Sequence, residues 1–461
     1  MKTNIGLFDR MVLQRNKEGI CDQQIQGECR HQGDVLATVT SKGKIVKGFR
    51  KIVIGKANKN RIEARLKGLE TGGPYEIQLS ILSDKREADS MSVSDVLVGD
   101  VWIMAGQSNM EGIGNLKDAL PPIDEVRAYY MRDEWDIAKD PVHKLSEANA
   151  EVHWNEDGTR RQRNIHKGVG PAVSFGQEMF QKTGVPQGLI ACAHGGTSMA
   201  QWSPKLKNKG NKSLYGAMLK RFERNGSKVA GIIWYQGCSD THDMEVASAY
   251  TANMEKFVEA VRKDFKSASL PFIMVQISRK TIPGDDTAMW NSIQDQQRLL
   301  PEKIKKLTVV PAIDLDLDDS IHISGPDQHR LGKRLAYATM VVLDAKSGKK
   351  PIAIKNIKRK VCRENGCSDV VISFDNVVGK LCSQDRPTGF TFIKDGQNDL
   401  NIYKVTLDKN QVILHAGYMT KEDFADRELY YGHGFNPYCN ITDEADRSLP
   451  AFGPLKLFTD S

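Results

Sequence analysis

The chain has 461 residues, 40% of them hydrophobic and 27% charged, with a formal net charge of +7. That length exceeds one ordinary core and calls for two or three domains of soluble globular composition. No apolar run approaches the roughly 18 residues of a membrane-spanning helix, and the basic loop at Lys207, Lys209 and Lys212 comes with no nucleic-acid fingerprint, so membrane and nucleic-acid partners are set aside.

Residues 1–95 read as β. Ile62, Ala64 and Leu66 alternate with charged residues, as do Tyr75, Ile77, Leu79 and Ile81 with polar ones, and Gly72-Gly73-Pro74 supplies the turn. A small β-sandwich is expected there, with no chemistry assigned to it. Met1-Lys2-Thr3-Asn4-Ile5-Gly6-Leu7 shows no apolar core of a signal peptide.

From 96 to 348 strands alternate with helices, the signature of a parallel sheet. Val101-Trp102-Ile103-Met104-Ala105 stops at Gly106 and opens onto Gln107-Ser108-Asn109-Met110-Glu111-Gly112. Sites in such sheets lie beyond the carboxyl ends of strands, so Ser108 is placed to meet a ligand. Met110 rules out the G-x-S-x-G elbow. A polar stretch at about 115–168 holds Trp135, Trp154, His143, His153 and His166; it either walls a cleft or is a surface insertion. Ala172, Phe175, Met179 and Phe180 follow helical spacing up to Gly184.

Two further strands end in small polar blocks. One runs into His194-Gly195-Gly196-Thr197-Ser198, with Trp202 beyond it either to stack on a sugar or to pack. The other runs through Trp234-Tyr235 into Gln236-Gly237-Cys238-Ser239-Asp240. Tyr250, Met254, Phe257, Val258, Val261 and Phe265 share a helical face and are core. Leu307-Thr308-Val309-Val310 leads toward Asp318-Asp319-Ser320-Ile321-His322. An Asp three residues before a His can fold back onto the imidazole Nδ1, leaving Nε2 for a serine. Asp318 is the alternative. Leu331, Leu335, Ala338 and Val342 form a last amphipathic helix.

Lys349-Lys350-Pro351 reads as a linker, and β patterning returns over 349–461. That region is expected to pack rather than to bind glycan. Eight cysteines are scattered with no C-x-x-C pair and no zinc spacing, so no metal is expected. Cys362 and Cys367 bracket Glu364-Asn365-Gly366, a turn across which a disulfide is an open alternative.

Four blocks in this order, Gly-Gln-Ser-Asn-Met, Gly-Gly-Thr, Trp-Tyr-Gln-Gly and Asp-x-x-His, resemble the SGNH-hydrolase superfamily and, more narrowly, the sialate O-acetylesterase family of carbohydrate esterases. Asp9 to Arg15, Gly72 to Tyr75, Arg427 to Gly432 and Leu449 to Phe452 extend the likeness over nearly the whole chain. The resemblance implies an α/β fold. The catalytic domain would be SGNH-hydrolase (flavodoxin-like), with three α/β/α layers and β-sandwich domains at both ends. It implies a serine esterase acting on O-acetylated carbohydrates, 9-O-acetylated sialic acids first, with no cofactor. Ser108 would be nucleophile, His322 base and Asp319 its orienting acid. Ser108 and Gly196 N–H groups with the Gln236 amide would hold the oxyanion, Gly195 being an alternative to Gly196. Gln107, Asn109 and Trp202 would contact substrate. A secreted or periplasmic location is implied as well.

The chain departs from the family pattern at Cys238, where Glu is usual, and around Gln294, where the helix after Trp290 often carries Arg. An acid and a base missing together suggest a lost support pair. Rival readings are an acetylesterase on xylan or another plant polysaccharide, and a non-catalytic glycan-binding protein on the same scaffold. The intact Ser108, Asp319 and His322 argue against the second.

Overall fold

The computed structural model describes residues 1–58, 60–162, 164–282, 287–361 and 367–457. The chain packs as two compact units: Met1–Gly195 with Ala200–Ile233 and Glu259–Leu270, and Gly196–Met199 with Trp234–Val258 and Pro271–Ser461.

The first unit begins with an antiparallel sheet. Its order is Lys2–Ile5, Ile20–Glu28, Arg61–Glu70, Ile52–Asn58, Gly33–Ser41, Gly72–Ser83 and Arg86–Gly106. Ile62, Ala64, Leu66, Tyr75, Ile77, Leu79 and Ile81 are buried and their neighbours along the strands mostly are not. The expected sandwich takes the form of one continuous hydrogen-bonded sheet.

The expected boundary at 95 falls inside a single strand, Arg86–Gly106. Its first part pairs antiparallel with Gly72–Ser83, and Asp100 to Met104 pair in parallel with Gln187–Ala191. The burial pattern explains the change of role. Residues are mostly exposed or half-buried up to Asp95 and buried without a break from Val96 to Gly106. A strand covered on both faces suits a parallel sheet, and a half-solvated one suits an antiparallel sheet. Asp95 sits at the transition with φ of 56°, and its carboxylate accepts from Arg127 at 3.0 Å.

Gln187–Ala191 lies between Arg86–Gly106 and Val126–Tyr129, and Trp135–Ile137 closes that edge antiparallel. The polar stretch at 115–168 therefore hides two strands. Their few apolar residues are interrupted by Arg127 and Asp136, so neither strand reads as an apolar run. Helix Pro171–Thr183 starts on a proline and ends at Gly184 in the left-handed region, φ 68°. Its Phe175 ring meets Trp102 edge-on at 5.5 Å.

In the second unit Phe272–Gln276 pairs in parallel with Leu307–Pro311, with helices Thr287–Lys303 and Gly325–Leu343 beside them in the chain. Two four-stranded antiparallel sheets follow. Val370, Ile372, Phe374, Val412 and Leu414 of one share a core with Phe390, Phe392, Leu429 and Tyr431 of the other. Ile313, just past Leu307–Pro311, belongs to the same core. Gln276 exchanges two hydrogen bonds with the Ala451 backbone, at 2.8 and 2.9 Å. Arg447 donates to the Lys349 and Lys350 carbonyls at 3.0 and 2.8 Å, so the expected linker is held down at its start. These ties supply the packing role expected of the C-terminal β region. The Cys362–Cys367 pairing lies outside the described residues.

Candidate active site

Ser108 stands at the end of the long strand. Gly106 turns the chain with φ of 130°, and Ser108–Glu111 forms a single helical turn, Gln107 at its start. The Gln107 carbonyl accepts from Met110 and Glu111 N–H groups, both at 2.9 Å, and the Ser108 carbonyl from Gly112 at 2.9 Å. A Cβ on Gly112 would lie 2.6 Å from the Gly168 carbonyl oxygen, so only glycine permits that approach. Ser108 is half-buried. Gln107 and Asn109 are 3% and 1% exposed, so little of either side chain is open to solvent. Trp202 is 0% exposed and offers no ring face to a sugar; it packs.

The His194-Gly195 turn is tied to this region within the same unit. The His194 N–H donates to the Gly106 carbonyl at 3.0 Å, and the Gly195 N–H to Glu111 Oε2 at 2.7 Å. That bond occupies the N–H of Gly195, the alternative oxyanion donor; Gly196 is exposed, with φ of 70°. His194 Nδ1 lies 3.1 Å from His153 Nδ1. Burial pushes His194 down to about 4 and His153 well below the usual histidine range. Both are neutral at pH 7, with one Nδ1–H donated to the other ring, so His194 is a structural group and not a second base.

Two carboxyls here escaped the sequence reading. Burial pushes Glu111 up to about 7, against the opposing pulls of the Gly195 N–H and the Arg161 charge. Burial also pushes Asp140 up to about 8, against a single Gly170 N–H contact. For Glu111 a signal existed, an acid three residues after the serine on one helical turn. For Asp140 there was none.

In the second unit Gln236 is fully buried. Its Nε2 donates to the Thr197 carbonyl at 3.0 Å and to Asp240 Oδ2. A carboxamide has two N–H bonds, and both are used. The expected oxyanion role of Gln236 is therefore corrected: the side chain braces the Thr197 loop against Asp240. Asp240 also accepts from the Met199 N–H at 3.0 and 3.1 Å. Burial raises its carboxyl above the usual range, with Gln236 the largest opposing influence.

The departures at Cys238 and Gln294 leave no orphan charge. Burial pushes the Cys238 thiol up to about 12, so it stays neutral. Gln294 donates to the Ile277 and Ser278 carbonyls at 3.1 and 3.2 Å and accepts from Asn291 at 3.0 Å. Removing one member of a buried ion pair would strand the other; an amide network avoids that.

Asp319 and His322 are joined directly. Asp319 Oδ1 accepts the Ile321 and His322 N–H groups at 3.0 and 2.9 Å, which closes the turn, and Oδ2 lies 2.8 Å from His322 Nδ1. The same carboxylate thus shapes the loop and orients the ring. Nδ1–H donates to it, which leaves a lone pair on Nε2. Asp318 faces elsewhere: its Oδ2 accepts from the Gly325 N–H at 3.1 Å, at the start of helix Gly325–Leu343. The Thr281 N–H pins the loop through the Ser320 carbonyl at 2.7 Å.

Comparison with known proteins gives consistent results. A probable carbohydrate esterase of Arabidopsis thaliana is 28% identical over 261 residues, 53% of this chain and 92% of that protein. Human sialate O-acetylesterase is 24% identical over 310 residues, covering 59% of this chain and 58% of its own length. A carbohydrate acetylesterase from Xanthomonas citri, at 20% identity, superposes with a TM-score of 0.68 over 98% of both chains, which shows a shared fold. The family described as "carbohydrate esterase, sialic acid-specific acetylesterase" matches residues 98–341, more than half of the chain, and to that family the chain belongs.

Proposed function

We propose that this protein is a serine acetylesterase that removes O-acetyl groups from carbohydrates, 9-O-acetylated sialic acids being the leading substrate class. Ser108 is the nucleophile, His322 the general base and Asp319 the orienting acid. The α/β part is read as an SGNH-hydrolase arrangement. The observation that carries the reading is the Asp319–His322 hydrogen bond at 2.8 Å, which holds the imidazole with Nε2 as its basic nitrogen.

In the first step Ser108 Oγ attacks the acetyl carbonyl carbon while His322 Nε2 takes its proton. The tetrahedral intermediate collapses as the C–O bond to the sugar breaks, and His322 returns the proton to the departing sugar oxygen. Water then attacks the acetyl-serine with His322 again as base, releasing acetate and regenerating Ser108. The N–H groups of Ser108 and Gly196 serve the oxyanion.

Acetate release from 9-O-acetylated sialic acid and from acetylated xylo-oligosaccharides, assayed side by side, tests the substrate class. Preference for the second would move the protein to polysaccharide deacetylation, a class compatible with its similarity to a plant carbohydrate esterase. Ser108→Ala should lose at least about 10³-fold in kcat/KM. Undiminished turnover by that variant would remove the serine-esterase reading altogether.

A further inference from the structure

Glu111 has no part in the acyl transfer written above, yet its surroundings are specific. It lies three residues after Ser108 on the one-turn helix Ser108–Glu111, a spacing that puts both on neighbouring positions of the turn. Its Oε2 accepts the Gly195 N–H at 2.7 Å. One residue earlier, the His194 N–H donates to the Gly106 carbonyl at 3.0 Å. The acceptors, residues 106 and 111, bracket Ser108 on both sides. Successive N–H groups of one turn are thus fastened on either side of the proposed nucleophile.

The fit is close. A Cβ added to Gly195 would lie 3.0 Å from Glu111 Oε2 and 3.3 Å from Ser108 Cβ, so the glycine backbone rests on the serine itself. The next peptide is Gly196, with φ of 70°, a conformation that glycine adopts without strain. A half-buried N–H such as that of Gly195 requires an acceptor, and Glu111 is the side chain that provides it.

We propose that Glu111 is a positioning residue for the acyl-transfer step: as acceptor for the Gly195 N–H it fixes the Gly195 backbone on Ser108 and so holds the Ser108 hydroxyl and N–H in place for attack and for the developing oxyanion. The proposal rests on the reading of Ser108 as nucleophile. Oxyanion donors act through preorganisation, held to within about 0.5 Å of the productive geometry. Loss of the acceptor lets the turn relax, which weakens transition-state binding more than ground-state binding.

The test uses the full chain with p-nitrophenyl acetate as probe and a serine-directed phosphonate to count active sites. Glu111→Ala should lower kcat per titrated site by roughly 10- to 100-fold with KM changed less than about 3-fold, as for loss of an oxyanion contact. Glu111→Gln keeps a carbonyl oxygen at the same reach and should recover kcat to within about 5-fold of wild type. A purely structural role would lower the fraction of titratable sites and leave kcat per site untouched, and that result overturns the proposal. Equal impairment of the Gln and Ala variants overturns it too, because the acceptor would then be irrelevant. Should the alanine variant not fold, Glu111→Asp withdraws the acceptor by one methylene and must show the kcat loss. Failure of the underlying reading looks different: Ser108→Ala would then remain active whatever the Glu111 variants do.

Discussion

Asp140 makes the stability of the fold depend on pH in a way a single substitution can expose. Its carboxyl is buried, one oxygen taking a 3.4 Å contact from the Gly170 N–H and the other, Oδ2, meeting no hydrogen-bond partner among the described residues. Burial pushes the group from 3.8 up to about 8. A carboxyl raised on folding binds its proton more tightly in the native state. Its favourable contribution is complete below about pH 4 and is lost as pH rises toward about 8, where the native carboxyl ionises. Within that window each pH unit removes about 1.4 kcal/mol, so the penalty is about 4 kcal/mol at pH 7, as an order of magnitude. Glu111, up at about 7, adds a similar fall over its own narrower window. Asp140→Asn retains the acceptor for Gly170 and cannot ionise. Urea unfolding between about pH 5 and 7.5 should show wild-type stability falling more steeply than that of Asp140→Asn, by about 1.4 kcal/mol per pH unit. The slope, and not the offset between the two proteins, is the readout, because asparagine also adds amide N–H donors that the carboxyl lacked. Parallel slopes would refute the argument and put an ordinary, ionised carboxylate at position 140. The site is involved because Gly170 abuts Gly112, whose added Cβ would sit 2.9 Å from the Gly170 nitrogen, at the end of the Ser108 turn.

Asp319→Asn should cost about 10²- to 10⁴-fold in kcat, since an amide can favour the wrong imidazole tautomer, whereas Asp318→Asn, which touches the start of helix Gly325–Leu343, should cost under about 10-fold; steady-state rates of both at one pH decide it, and the reverse order would move the orienting role to Asp318. Gln236→Ala should destabilise the fold by about 1–3 kcal/mol in urea titration, because it takes a donor from the buried Asp240 and another from the Thr197 carbonyl; a pure kcat loss at unchanged stability would instead restore it as an oxyanion donor. Gly195→Ala should lower kcat by at least about 10-fold on p-nitrophenyl acetate, because the new methyl must displace either Glu111 or Ser108; wild-type rates would show that the turn has slack.

Local order along the chain was enough for the parts of this protein whose physics is local. Alternation at Ile62 to Leu66 and Tyr75 to Ile81 is a period-two signal, and those residues are the buried ones. Strand ends followed by small polar blocks marked the Ser108, Gly195 and Gln236 turns. Asp-x-x-His is itself a local motif, a carboxylate closing a three-residue turn onto its own histidine, so its hydrogen bonds were legible before any fold was known. What tertiary structure decided was the occupancy of each group. Both Gln236 N–H bonds are taken by Thr197 and Asp240, the second residue four positions on and the first 39 back. Trp202 is swallowed by the core, and nothing in an isolated aromatic tells a stacking platform from a packing ring. Glu111 and Asp140 became abnormal acids only through the low-dielectric surroundings that distant segments build around them. The domain limits followed the same rule: a boundary at 95 looked natural from the change in pattern, yet Arg86–Gly106 runs straight through it, because one strand can be half-solvated at its start and covered on both faces at its end. Sequence determines which groups are present and how near neighbours can pair; burial and competition for hydrogen-bond partners, which depend on the whole packed chain, determine which of those groups are left with anything to do.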